Sequence, residues 1–207
     1  PSPARQALPE SLNQLRYESL LPTFLVMLAK AQGRMSGVIP TKFRFGSNSS
    51  VDSSVTLVRC LELMLGEWPL RFDATLKHQL CNGTGVGLAE RIGAWYREIF
   101  STYSASSFDF FRDRFKALIA EHFDGRLGLS ARSMMFGADN TEALQWFSAA
   151  EAARLIGVAP DILANLVINQ EVAGKAHQEG KSRFVAIHRS TLEQIATQRG
   201  NYLSATE

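Results

Sequence analysis

The chain has 207 residues, of which 45% are hydrophobic, and its 22 Lys and Arg against 20 Asp and Glu give a net charge of +2. This length and apolar content suffice for a buried core. The near-neutral charge excludes a protein whose whole surface attracts nucleic acid, so any DNA contact must be local.

No apolar run approaches the roughly 18 residues that a membrane span requires, and no targeting segment can be recognised. Two isolated cysteines, Cys60 and Cys81, predict reduced core or surface thiols in a cytoplasmic protein. The chain begins at Pro1 without a methionine, which suggests a domain cut from a longer protein.

Residues before Trp146 predict a helical bundle, because their apolar residues recur at helical spacing. Pro22 suits the first turn of the first helix, which Gly33 ends, and Gly37–Asp52 is irregular. Four further helices are predicted, which begin near Val55, at Pro69, at Leu88 (to Tyr103) and at Phe108 (to Phe123). The stretch Arg126–Phe136 reads as an exposed linker, in which Arg126 and Arg132 are candidate contacts to phosphate or to a partner.

The segment that begins at Trp146 predicts a helix-turn-helix. Ser148 and Glu151 have the spacing of a capping box at a helix start, and Gly157 can take the positive φ that ends a helix tightly. Pro160 suits the first turn of a second helix. Two helices joined by a short turn with glycine are typical of the helix-turn-helix.

A β-hairpin and a last helix are predicted to follow. His177–Ser182 is polar and turn-like, and Arg183–His188 alternates like a half-buried strand. Ser190 can cap the last helix. The predicted fold is therefore mostly α, with a helical bundle at residues 1–145 and a small winged helix-turn-helix at 146–207.

This module resembles the winged helix-turn-helix of MerR-like regulators and excisionases. The resemblance implies that Pro160–Asn169 is the recognition helix and that the wing residues Lys175, Lys181 and Arg183 meet phosphates or the minor groove. The outward positions predicted on the second helix are Asp161, Ala164, Asn165 and Ile168, of which Asp161, Ala164 and Asn165 are candidate DNA contacts. None is a cation, so this helix is a poor base reader on its own.

Four stretches in order resemble the C-terminal half of the TniQ/TnsD family of transposition proteins. They are Leu61–Leu76, Trp95–Ser101, Phe108–Gly125 and Trp146–Val158. The resemblance implies a DNA-binding accessory protein that helps to select the target site of a bacterial transposon and recruits its AAA+ ATPase. The Cys/His zinc motifs frequent in the N-terminal part of that family are absent here.

A second interpretation stays open, in which the chain is a non-catalytic adaptor. Its helix-turn-helix would then be a packing or dimerisation module, with Ile168 exposed as part of a protein contact. A second copy of the chain is a candidate partner in both interpretations.

No catalytic or metal-binding constellation is present, and no cofactor is expected, so the sequence predicts a protein that is not an enzyme. The glycine-rich loop Asn82–Gly87 lacks the Lys-Ser/Thr pair and the preceding strand that phosphate-binding loops require. It is interpreted as a connection between helices.

Overall fold

A computed structural model describes residues 21–35, 51–137, 143–179 and 182–204. These ranges contain ten α-helices and one antiparallel sheet of three strands, in the order β1-β3-β2. The helices are α1 Leu21–Met35, α2 Val51–Leu65, α3 Leu70–Asn82, α4 Leu88–Ile92, α5 Tyr96–Ser101, α6 Asp109–His122, α7 Leu129–Phe136, α8 Ala149–Ile156, α9 Pro160–Ile168 and α10 Arg189–Ser204. The strands are β1 Trp146–Ser148, β2 Lys175–Glu179 and β3 Ser182–His188. The predicted fold class, mostly helical with a small β-hairpin module, is confirmed.

The chain divides into two compact units. Unit 1 comprises residues 1–79 and 92–116, and unit 2 comprises residues 80–91 and 117–207. This division groups residues 117–145 with the helix-turn-helix, whereas the sequence places a boundary after residue 145. Backbone hydrogen bonds within unit 2 give the reason, since Gln145 N donates to Ala120 O and Arg126 N donates to Val86 O.

Unit 1 is built around aromatic side chains. α1 packs against α2, and Ala29, Leu57 and Cys60 form a small buried cluster. Phe24, Phe72, Phe108 and Phe111 are fully buried, and their rings meet edge-on or tilted at 4.6–5.4 Å between centroids. Such pairs add to the stabilisation that burial alone provides.

Unit 2 packs α8, α9 and α10 on one sheet. Its core contains Phe147 from β1, Ala152 from α8, Leu163 from α9, Ile187 from β3 and Leu192 from α10. β3 is the central strand and pairs antiparallel with both β1 and β2.

Three sequence predictions are corrected by the fold. The predicted helix Leu88–Tyr103 is interrupted, because Gly93 takes a left-handed φ of 86° between α4 and α5. The predicted linker Arg126–Phe136 contains α7, and His177–Glu179 lies in β2 and not in a turn. Strand β1 was not predicted, because three residues are too few to show an alternating pattern.

Cys60 is buried and Cys81 is exposed, and both are free thiols. Burial raises the pKa of Cys60. In the described ranges, no helix is long and apolar enough to cross a membrane. The irregular stretch predicted at Gly37–Asp52 lies outside the described residues as far as residue 50, and its last two residues belong to α2, so the prediction is wrong for them.

Candidate nucleic-acid interface

The helix-turn-helix forms through the local signals that the sequence carries. Ser148 Oγ accepts a hydrogen bond from Glu151 N at 3.3 Å, and Ser148 N donates to Glu151 Oε2 at 3.0 Å, which is a complete capping box. Gly157 ends α8 with a left-handed φ of 68°. Pro160 then begins α9 after a turn of three residues, 157–159.

The exposed face of α9 carries no cation. Asp161 and Asn165 are exposed as predicted. The prediction that Ala164 and Ile168 face outward is wrong, since both are half-buried against the core of unit 2. The apolar residue that does face solvent is Ile162, at 59% exposure, because α9 is apolar on more than the face that meets α8.

The wing of the module is the β2–β3 hairpin. Arg183 lies opposite Gln178 in the pairing and is exposed, so its guanidinium is available to a ligand. Lys181, the second wing cation singled out from the sequence, lies outside the described residues. Lys175, the third, does not point freely to solvent: its Nζ donates to Asp124 Oδ2 at 2.5 Å and lies 4.9 Å from the Trp146 ring centroid.

Asp124 is the centre of a buried charge cluster that sequence reasoning missed. Its side chain is fully buried and accepts a hydrogen bond from Arg91 Nη1 at 2.5 Å, in addition to the bond from Lys175. Arg91 is itself 1% exposed. His177 Nε2 lies 3.3 Å from Asp124 Oδ1. The cluster therefore ties the base of the wing to the carboxyl end of α6 and to α4.

The charges of this cluster shift the pKa values of its members. Burial acts to raise the pKa of Asp124, but the hydrogen bonds from Lys175 and Arg91 outweigh burial and hold it below its usual value. Burial lowers the pKa of His177; the negative charge of Asp124 opposes this only in part. His177 is therefore neutral at neutral pH.

A surface groove of about 470 Å³ lies on unit 2 beside the wing. Its described lining contains four arginines, Arg126, Arg132, Arg154 and Arg183, and one acidic residue, Glu151. Four arginines against one glutamate give the described lining a formal charge of +3, against +2 for the whole chain. We call this the arginine groove.

The four arginines of the arginine groove are held in different ways. Arg126 is exposed, and its guanidinium lies 5.4 Å from the ring centroid of Phe184. Arg154 and Arg183 are exposed, and no carboxylate within the described ranges pairs with either. Arg132 is not the exposed linker residue predicted, because α7 directs it to an ion pair with Glu151 at 2.5 Å and leaves its side chain 15% exposed.

Arg154 is the residue of the arginine groove that sequence reasoning missed. It lies three residues after Glu151 on α8, so both project from the same face of the helix. That spacing is the sequence signal from which Arg154 could have been identified. What the spacing could not show is that residues 123–127 and β3 lie along this face.

A carboxylate of the protein binds the glycine-rich loop Asn82–Gly87. Val86 N and Gly87 N both donate to Glu90 Oε2, at 2.8 and 2.9 Å. These backbone bonds, first that of Gly87, lower the pKa of Glu90. Because an internal carboxylate occupies these two amides, they are not available to a phosphate group.

We expect unit 2 to lose stability on acidification in two stages. The pKa of His177 is lower when folded than unfolded, so stability falls as the pH drops below the unfolded value of about 6.5. Asp124 and Glu151 also have lowered folded pKa values, and their contribution is lost as the pH falls below about 4. Urea unfolding from pH 8 to pH 3.5, tracked by near-UV circular dichroism, measures both stages.

The variant His177→Gln should remove the upper stage of acid destabilisation and leave the lower one, since it deletes the imidazole of this cluster, whose pKa burial lowers from its ordinary value. A wild-type stability that does not change between pH 8 and pH 5 would contradict the assignment.

The described chain thus combines an aromatic-rich helical unit with a winged helix-turn-helix unit that carries a concentrated positive surface. Comparisons with known protein families, with curated proteins and with solved structures found no match to this chain.

Proposed function

We propose that this chain is a non-catalytic, DNA-binding accessory protein of bacterial transposition, which docks on duplex DNA through unit 2, helps to select the target site and recruits the transposon's AAA+ ATPase. The observation that carries the proposal is the wing: a helix-turn-helix is followed by a hairpin whose β3 strand presents the exposed Arg183. The order of the four stretches that resemble TniQ/TnsD proteins supplies the transposition context.

The charge distribution supports local docking on DNA. The whole chain carries only +2, yet the described residues that line the arginine groove carry a formal charge of +3. A duplex is attracted to a surface of this kind and not to the molecule at large. Arg is also the side chain best suited to grip phosphate oxygens with two parallel hydrogen bonds.

Salt dependence of binding tests the proposal. A labelled duplex should bind with a log-log slope of roughly −3 to −5 between about 50 and 200 mM salt, as three to five phosphate contacts require. The double variant Lys181→Ala/Arg183→Ala should reduce the magnitude of the slope by up to about two. Fluorescence anisotropy measures both, and no binding at the lowest salt would refute the proposal.

A matched control is available in unit 1. Arg59 and Lys77 are exposed and have no described ion pair, so Arg59→Ala/Lys77→Ala removes the same charge from a different surface. This variant should leave the slope as it is in the wild type.

One observation favours the alternative function, in which the chain is a protein-interaction adaptor. Leu155 at the end of α8 and Ile162 at the start of α9 are 62% and 59% exposed, on either side of the helix-turn-helix turn. Exposed apolar residues that flank one turn are suited to a protein contact. If the adaptor alternative holds, Leu155→Ser/Ile162→Ser should abolish self-association in sedimentation experiments, and the wild type should not bind DNA.

A further inference from the structure

We infer that helix α2 in unit 1 binds a second copy of this chain, through a stripe of Val51, Val55 and Val58 that packs antiparallel against the same stripe of the partner. We call these three residues the valine stripe. The inference does not depend on the proposed function, because α2 belongs to unit 1 and the proposed DNA contacts belong to unit 2. It assigns a surface and an orientation to self-association, both of which sequence analysis leaves open.

Helix α2 is apolar on two opposite sides. On one side, Leu57 and Cys60 are buried and pack with Ala29 of α1. Three valines are exposed on the other side, at 79%, 43% and 64%: Val51, Val55 and Val58. Their spacings of four and three residues align them along the helix. A surface helix normally carries polar residues on its outer side, so an apolar stripe there indicates a protein contact.

Opposite charges lie along one flank of the valine stripe. Asp52 and Arg59 are exposed, and their spacing of seven residues, or two helical turns, puts them on the same flank. Ion pairs along a helix require a spacing of three or four residues, so these two side chains do not pair with one another. Within the described ranges neither takes part in any other ion pair. A partner surface that carries the same two charges in reverse order would match both.

The valine stripe and the charged flank share nearly the same centre. Val51 and Val58 are centred between residues 54 and 55, and Asp52 and Arg59 are centred between residues 55 and 56. The two centres therefore differ by one residue, or about 1.5 Å along the helix. A two-fold axis at this point places two copies of α2 antiparallel, with Val51 against the partner's Val58. The same axis brings Asp52 beside the partner's Arg59, and by symmetry this ion pair forms twice.

The size of the contact sets its strength. It involves one helix of 15 residues, and the exposed carboxylate of Glu62 follows one turn after Val58 and limits the apolar surface. Small interfaces bind weakly, so we expect a reversible equilibrium between monomer and dimer at micromolar to millimolar protein. Because Arg59 lies at this contact, the control Arg59→Ala/Lys77→Ala for DNA binding is compared with the wild type at concentrations where both are monomeric.

Sedimentation of the intact chain over this concentration range tests the valine stripe. The wild type should shift from monomer to dimer, and Val55→Ser/Val58→Ser should stay monomeric. Both valines are exposed, and serine has a helix propensity close to that of valine, so this variant should keep the fold. Leu155→Ser/Ile162→Ser makes the same kind of change at exposed apolar residues of unit 2, and it should dimerise like the wild type.

Charge reversal tests the antiparallel orientation. Asp52→Lys alone and Arg59→Glu alone each place like charges across the two-fold axis, so each should raise the dissociation constant of the dimer by about tenfold. When the two variants are mixed, every pair across the axis has opposite charges, so they should bind each other more tightly than either binds itself. The double variant Asp52→Lys/Arg59→Glu should dimerise like the wild type. Sedimentation with one variant fluorescently labelled measures the mixed dimer.

A wild type that stays monomeric at every concentration overturns the inference. A dimer that Val55→Ser/Val58→Ser leaves intact also overturns it. If the mixed charge variants bind each other no more tightly than each binds itself, the antiparallel contact is wrong. Self-association that is lost only in Leu155→Ser/Ile162→Ser would assign the contact to unit 2 and favour the adaptor alternative. Far-UV circular dichroism identifies any variant that does not fold.

Discussion

Asp124→Asn should destabilise unit 2 by about 3–5 kcal/mol, because it removes the counter-charge of a buried guanidinium. Arg91 is 1% exposed and cannot recover its lost partner from water, and Lys175 loses the carboxylate that holds it beside the wing. Urea denaturation, monitored at pH 7, measures the loss. We also expect a lower midpoint temperature for thermal unfolding followed by near-UV circular dichroism.

The same substitution at an exposed ion pair serves as the control. Asp113 pairs with Lys116 at 2.7 Å, but its side chain is 65% exposed, so water replaces the partner and Asp113→Asn should have little effect. The double variant Arg91→Met/Asp124→Asn should recover part of the stability lost in Asp124→Asn, since no buried cation is then left unpaired. Equal losses in Asp113→Asn and Asp124→Asn would show that the buried cluster contributes nothing specific.

Gly125→Ala should also be destabilising, by about 1–3 kcal/mol, for a steric reason. A Cβ at this position would overlap the carbonyl oxygen of Val86 and would lie 2.6 Å from Cζ of Phe123. The Val86 carbonyl cannot move without breaking the hydrogen bond that it accepts from Arg126 N at 2.8 Å. The variant should therefore lower the thermal midpoint and displace Arg126, which under the proposed function would also weaken DNA binding.

Gly128→Ala is the matched control, three residues along the same segment. Nothing lies within 4 Å of a Cβ there, and its φ of −61° is open to any residue. The small loss of an N-cap preference and the gain from a less flexible unfolded chain act in opposite directions, so little net change is expected. A Gly125→Ala variant as stable as Gly128→Ala would contradict the steric argument.

The parts of the helix-turn-helix that sequence reasoning placed correctly are those that depend on near neighbours. The capping box needs only Ser148 and Glu151, the end of α8 needs only Gly157, and the start of α9 needs only Pro160. Each of these signals depends on residues no more than four positions apart, so each can be recognised in a single sequence.

The features that sequence reasoning missed depend on residues far apart in the chain. Asp124 bonds to Arg91, 33 residues before it, and to Lys175, 51 residues after it, and no local pattern marks such a set. For the same reason Lys175 and Arg132 were read as free cations, although each is paired with a carboxylate. The exposure of Ile162 in place of Ile168 follows from the rotation of α9 on its core, which is set by Leu163 and Val167.

Segments of the two units alternate along the chain, and this determines the order in which the residues of each unit are synthesised. Residues 80–91, which carry Arg91, leave the ribosome well before the wing strand β2, and a stretch of unit 1 is synthesised between them and residue 117. The buried guanidinium of Arg91 therefore has no counter-charge until Asp124 is synthesised, and Asp124 receives its second cation only when Lys175 follows. Unit 2 reaches its final form only after β2 and β3 have been synthesised, so a nascent chain stopped before β2 would carry an unfinished unit 2.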